Sequence, residues 1–281
     1  MKLPTINYAD THGENAANSA EMVLQSFRDP GFLFVRDIPG FQPEKLLEWT
    51  KWFFEDLPLE EREKIRPKRN SETDPIAYRG FIPARESAES SYKELIEIGP
   101  HETPKQDEFI MLDANRWPDW KEQSGACAQF KTFMKDYYQL SVEALIDGDQ
   151  RLLCASHRDN GIITLLAIFD QPGLQIYHNG RYHDIETQEK GIVINAGKLF
   201  VPWVKNGVQA TEHRVLDIGR VRYAVGFFFE PNWDTEVEVE EKDGGGARKC
   251  MTYGQFLMES FKLYFEHNDL VPYLQRKGFL N

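Results

Sequence analysis

Between residues 151 and 231 the chain reads as a succession of short apolar runs, each closed off by a turn signal. The runs are Leu152 to Ser156, Ile162 to Phe169, Leu174 to Tyr177, Arg181 to Ile185, Ile192 to Asn195 and Arg222 to Phe229. Each is short for a helix but suits a strand, because a few residues of extended backbone already cross a sheet. His178-Asn179-Gly180 supplies a hairpin turn, since Asn and Gly tolerate the positive φ of a tight two-residue loop. Strands repeated at this spacing must bury their apolar faces against one another. The region is therefore a sandwich, a jelly roll or a barrel.

The flanking sequence has another texture. Helical spacing is predicted around Ser19 to Phe27, over Gln42 to Leu57, Leu59 to Ile65, Ser124 to Leu145 and Tyr253 to Phe265. Short strands are expected at Phe32 to Val35 and Lys93 to Ile98. Residues 66–92 read as an exposed loop holding one apolar island, Tyr78-Arg79-Gly80-Phe81-Ile82, and 236–249 as a charged, Gly-rich solvated loop. No internal repeat or clean linker appears, so the chain is expected to form one unit. Its parts are a mostly helical stretch over 1–150, a β core over 151–231, and a loop with a C-terminal helix over 232–281.

A chain of 281 residues with 41% hydrophobic content can bury such a core. The net charge of −12 repels polyanions, and no basic stripe offsets it, so nucleic acid is excluded as an expected partner. The charge fits a soluble protein acting on small molecules. Cys127, Cys154 and Cys250 lie far apart with no CxxC pair, which suits reduced thiols in an intracellular protein. No signal-type apolar core opens the sequence, and no apolar run approaches the ~20 residues needed to span a bilayer. A cytoplasmic location is expected, without membrane contact, and no protein partner is implied.

Candidate chemistry starts from the histidines. His157-Arg158-Asp159 follows an apolar run, and positions i and i+2 of a strand point to one face, so an imidazole and a carboxylate converge. A metal would need a third ligand, and His213 stands just before another strand in Glu212-His213-Arg214-Val215. Two His and one carboxylate leave coordination positions open, as in non-haem iron(II) oxygenases. His-x-Asp by itself is a weak pattern; its bland reading is a hydrogen-bonded core His beside a surface Asp.

The surrounding order decides between the two. Gly173-Leu174-Gln175-Ile176, Gly180-Arg181-Tyr182, Gly191 to Gly197, Asn206-Gly207, His213-Arg214-Val215, Arg222 and Phe227-Phe228-Phe229-Glu230-Pro231 follow one another. This series resembles the isopenicillin N synthase-like branch of the 2-oxoglutarate/Fe(II)-dependent dioxygenases, with weaker echoes over most of the chain. The resemblance implies an α+β fold: a double-stranded β-helix core, of jelly-roll or cupin-like type, flanked by N-terminal and C-terminal helices. It implies iron(II) held by His157, Asp159 and His213, with Arg222 gripping the distal carboxylate of 2-oxoglutarate and Arg220 as the fallback. A guanidinium suits that task because it forks onto a carboxylate with two parallel hydrogen bonds. The implied enzyme consumes O2 and oxidises an unactivated C–H of a small molecule, by hydroxylation, desaturation or ring closure. Arg79, Arg158 and Lys205, with Arg85, could supply cations to a small carboxylate or amino-acid-like substrate; the plainer reading is solvated or paired surface charge.

The sequence departs from the family in three places. Ala224 replaces the usual Ser two residues after the arginine, no Tyr-Pro element lies between Leu145 and His157, and Lys198 stands where an Asp usually follows Asn-x-Gly. The first two favour a rival, an iron(II) oxidase that does not consume 2-oxoglutarate, which Arg222 opposes. A non-catalytic binding protein on the same fold would be expected to carry a broken triad. A zinc hydrolase would be expected to carry a general-base motif such as HExxH, which does not occur.

Overall fold

The computed structural model describes residues 1–67, 79–84, 93–100, 113–145, 157–169, 171–186, 190–204, 207–216, 221–240 and 248–261. The strands are β1 (Thr5–Asn7), β2 (Phe32–Arg36), β3 (Gly80–Ile82), β4 (Leu95–Glu97), β5 (Ile163–Ala167), β6 (Leu174–His178), β7 (Arg181–Asp184) and β8 (Gly191–Ala196). They continue with β9 (His213–Val215), β10 (Val225–Phe229), β11 (Glu236–Glu240) and β12 (Arg248–Thr252). The helices are α1 (Ala16–Arg28), α2 (Pro43–Lys51), α3 (Leu59–Lys64), α4 (Ser124–Leu145), α5 (Phe200–Val204) and α6 (Tyr253–Phe261). Among the described residues no helix is long and apolar enough to cross a membrane.

Two compact units result. The first comprises Met1–Thr50, Gln139–Asn232 and Val237–Cys250. It holds a five-stranded sheet in the order β1-β2-β8-β5-β10 and a three-stranded sheet in the order β7-β6-β9. Period-two alternation decides which side chains meet between the sheets. Phe34, Val193 and Leu166 lie in register across β2, β8 and β5. They share one core cluster with Leu174 and Ile176 of β6, so the core fills the space between the two sheets. Two residues along each strand, the same face carries Phe32, Asn195 and Thr164 in register. The inward face is thus apolar in its middle and turns polar toward one end. The β6–β7 hairpin turns at Asn179 and Gly180, both with positive φ as the Asn-Gly pair requires.

The second unit takes in Lys51–Tyr138, Trp233–Glu236 and the described residues from Met251 onward. Its core is aromatic: Phe130 of α4 stacks on Phe53 at 5.3 Å and meets Trp52 at 5.3 Å. The helix expected over Gln42 to Leu57 stops at Lys51 and continues as one wider turn over Trp52–Asp56. Residues 236–249, expected to be a loop, include β11 and the start of β12, which pair as a ribbon. The reason is legible afterwards: Glu236-Val237-Glu238-Val239-Glu240 alternates with period two, and Val237 is buried.

Candidate metal centre

Among the described residues, one group of His, Cys, Asp and Glu side chains could share a metal ion: His157, Asp159 and His213, with ligand atoms all within 4.8 Å of one another. His213 opens β9, opposite Ile176 of β6. His157 joins its edge through an isolated antiparallel bridge, in which the His157 amide donates to the His213 carbonyl at 3.0 Å and the His213 amide returns the bond at 2.9 Å. The two rings then stand with centroids 4.3 Å apart.

Asp159 follows in a turn that the segment after β8 fastens down. The Gly197 amide donates to the Ile162 carbonyl at 2.7 Å, Lys198 to Asp159 at 2.8 Å and Leu199 to Gly161 at 3.1 Å. A side chain at 197 would put Cβ 2.2 Å from the Gly161 carbonyl oxygen, an approach that only glycine permits. Gly197→Ala should therefore push this turn away, costing about 1–3 kcal/mol by the usual scale of overpacking. Urea unfolding of the metal-free protein measures it, and an unchanged midpoint would mean the turn yields freely.

Asp159 and His213 are 2% and 4% exposed. Asp159 Oδ2 accepts from the Thr164 hydroxyl at 2.5 Å and from the Asn195 amide at 2.7 Å. Its Oδ1 accepts no hydrogen bond among the described residues. Facing Oδ1 instead are Nε2 of His157 at 3.4 Å and Nε2 of His213 at 3.7 Å. His213 Nδ1 lies 3.1 Å from the Thr211 carbonyl. A carbonyl can only accept, so Nδ1 carries the proton and Nε2 turns its lone pair toward Asp159. The Phe32 ring meets His213 edge-on at 5.3 Å and keeps it in place.

The protonation states agree with this geometry. Burial pushes the Asp159 carboxyl up, but the His213 and His157 imidazoles and the Asn195 amide together hold it below the ordinary carboxylate range. Burial lowers His213, which outweighs the attraction of Asp159 and keeps the imidazole neutral. An ionised oxygen and the unprotonated Nε2 of His213 converge with Nε2 of His157, a donor set that suits a divalent cation of the iron class. These residues fit a metal.

The other candidates lie elsewhere. Arg222 sits just before β10; its Nε donates to the Pro172 carbonyl at 3.1 Å, while Nη2 is buried without a hydrogen-bond partner among the described residues. Burial lowers its pKa. Ala224 packs against the inter-sheet core. Arg158 is half-exposed and faces Glu212 at 3.7 Å. Arg79 is buried in the second unit, its guanidinium laid over Gly99, where an added Cβ would come within 1.5 Å of Nη1. Lys205, Arg85, Arg220 and the 146–156 stretch that would have carried a Tyr-Pro element lie outside the described residues. Sequence reading did not single out Thr164 and Asn195 as site residues. The signal was available, since each is a lone amide or hydroxyl inside an otherwise apolar run.

Two family models match consecutive parts of the chain: the 2OG-Fe(II) oxygenase superfamily over residues 133–231, and the non-haem dioxygenase in morphine synthesis N-terminal region over residues 3–120. A homoarginine-6-hydroxylase of Arabidopsis thaliana is 26% identical, across 88% of this chain and 90% of the relative. Isopenicillin N synthase of Penicillium chrysogenum is 22% identical, across 98% and 97%. Among solved structures, a full-length Neurospora crassa protein in complex with alpha-KG superposes with a TM-score of 0.71 at 20% identity, covering 94% of this chain and 96% of that one. That likeness establishes the double-stranded β-helix fold. Both family matches fall in chain order, and all three converging donors lie within the oxygenase match. The chain belongs to the 2OG-Fe(II) oxygenase superfamily, in the isopenicillin N synthase-like branch of the iron(II)- and 2-oxoglutarate-dependent dioxygenases.

Proposed function

We propose that His157, Asp159 and His213 hold the iron(II), that Arg222 grips the distal carboxylate of 2-oxoglutarate, and that the enzyme oxidises a C–H bond of a small amino-acid-like carboxylate, by hydroxylation. The observation that carries the metal assignment is Asp159 Oδ1, buried without a hydrogen bond among the described residues and facing two imidazole nitrogens. When bound, iron(II) couples the oxidative decarboxylation of 2-oxoglutarate by O2 to oxidation of the substrate. The chain's part is positional. His157, Asp159 and His213 would hold the ion from one side and leave the other side to reactants. The half-buried Arg222, with its Nη2 shielded from solvent, offers a partly desolvated fork for a carboxylate.

The substrate class is supported by the homoarginine-6-hydroxylase relative, which spans nearly the whole chain. An acidic protein of charge −12 also draws basic amino acids toward itself more readily than acidic ones. Anaerobic titration with iron(II) and 2-oxoglutarate should develop the visible charge-transfer band of the chelate. Admitting air with a panel of amino acids should then show substrate-dependent succinate release. No band with both components present would remove the iron and 2-oxoglutarate assignment; a band without amino-acid stimulation would remove only the substrate class.

A further inference from the structure

We propose that Asn195 and Thr164 are positioning residues that restrict Asp159 to a single donor oxygen and so fix how many positions around a bound metal stay open. This rests on reading His157, Asp159 and His213 as the metal ligands. A carboxylate can ligate through one oxygen or both, and the terminal torsion of Asp is soft, so something must choose. Here the choice is built into the sheet before any metal arrives. Thr164 of β5 and Asn195 of β8 are directly opposed in register, and their side chains reach the same oxygen, Oδ2. A carboxylate oxygen offers about two lone-pair sites, and both on Oδ2 are occupied. Those on Oδ1 receive no hydrogen bond from the described residues.

The lock is stiff for identifiable reasons. Thr164 and Asn195 are 4% and 2% exposed, so neither can exchange its bond for water. Thr is held at χ1 by its branched Cβ, and both residues sit on paired strands rather than loops. Turning the carboxylate to present both oxygens would strand two buried donors, each of which is costly to leave without a partner. Outside those strands, Lys198 and Leu199 hold the backbone of the same turn, so the carboxylate cannot escape by moving its main chain. With one oxygen and two nitrogens engaged, a six-coordinate ion keeps about three positions for a chelating keto acid and dioxygen; a two-oxygen Asp159 would take one of them.

The test uses manganese(II) alone, which binds oxygen and nitrogen donors and reports its coordinated waters through proton relaxation. Thr164→Val, which removes the hydroxyl and keeps the shape, and Asn195→Leu should each weaken manganese binding about tenfold, as losses behind a ligand usually do. In each variant the relaxivity per bound ion should fall by about one third, from roughly three coordinated waters to roughly two. Thr164→Ser should restore both readings. A merely structural role would lower the melting temperature of the metal-free protein and leave the relaxivity per bound ion untouched. If Asn195→Leu does not fold, Thr164→Val and Thr164→Ser carry the comparison. A wild-type protein that binds no manganese overturns the metal-ligand reading and this proposal together. Normal wild-type binding with unchanged relaxivity in the variants overturns the lock alone.

Discussion

Replacing His213 by Ala should remove metal binding and turnover together while the β core keeps its fold. His213 supplies one of three donors, and it is the one whose tautomer the chain fixes through the Thr211 carbonyl. Losing a partner behind a ligand commonly costs about 10–100-fold in metal affinity, so losing the ligand itself should cost more than about 100-fold. The ring also packs edge-on against Phe32, and its removal leaves a small cavity worth about 1–3 kcal/mol in the metal-free protein. That is well below the loss that unfolds a typical domain. Iron(II) titration followed by succinate assay, with circular dichroism on the same sample, separates the effects. Iron affinity within a few-fold of wild type in folded His213→Ala would remove the metal assignment.

Arg222→Ala should raise the apparent 2-oxoglutarate constant by roughly thirty- to several-thousand-fold, the ~2–5 kcal/mol typical of losing one member of a desolvated, hydrogen-bonded ion pair. The dependence should sit toward the severe end. Ala224 occupies the place where the family carries a Ser, and it packs against the core as a methyl group with nothing to donate. Burial already lowers the pKa of Arg222, and Nη2 has no hydrogen-bond partner among the described residues to fall back on. Arg222→Lys should recover only part of the affinity, because an ammonium keeps the charge and loses the fork. Iron binding should survive both changes, since the three donors come from other segments. An unchanged constant in Arg222→Ala would move the anchor to another cation, with Arg220 the first to try.

Much of this was readable in the residues, and the exceptions have physical causes. The long helix Ser124–Leu145 falls where its three-and-four spacing places it, because a pattern that long leaves no rival period. The hairpin at Asn179-Gly180 was fixed by turn chemistry alone. The ribbon of β11 and β12 escaped because its three Glu residues read as solvation, although the alternation around Val237 was there. Asp159 and the two histidines could be named from spacing and order. Each group behind them stood out as a lone polar residue in an apolar run, but their pairing was not readable, because Thr164 and Asn195 are thirty-one residues apart in the chain and meet only through strand register. Arg158 was read either as a substrate cation or as a paired surface charge, and it stands 3.7 Å from Glu212.

The donors belong to different layers of the first unit, and that bears on how the protein withstands heat. Asp159 is tied through Thr164 and Asn195 to the five-stranded sheet, whereas His213 is part of the three-stranded one. An ion shared between them acts as a staple across the sandwich. Because only the folded chain brings the three donors together, bound metal adds to stability by mass action, by about 2.7 kcal/mol when the free ion stands at about a hundred times its dissociation constant. The melting temperature is then a reading of metal content, and a chelator should loosen the sandwich even where no substrate is present.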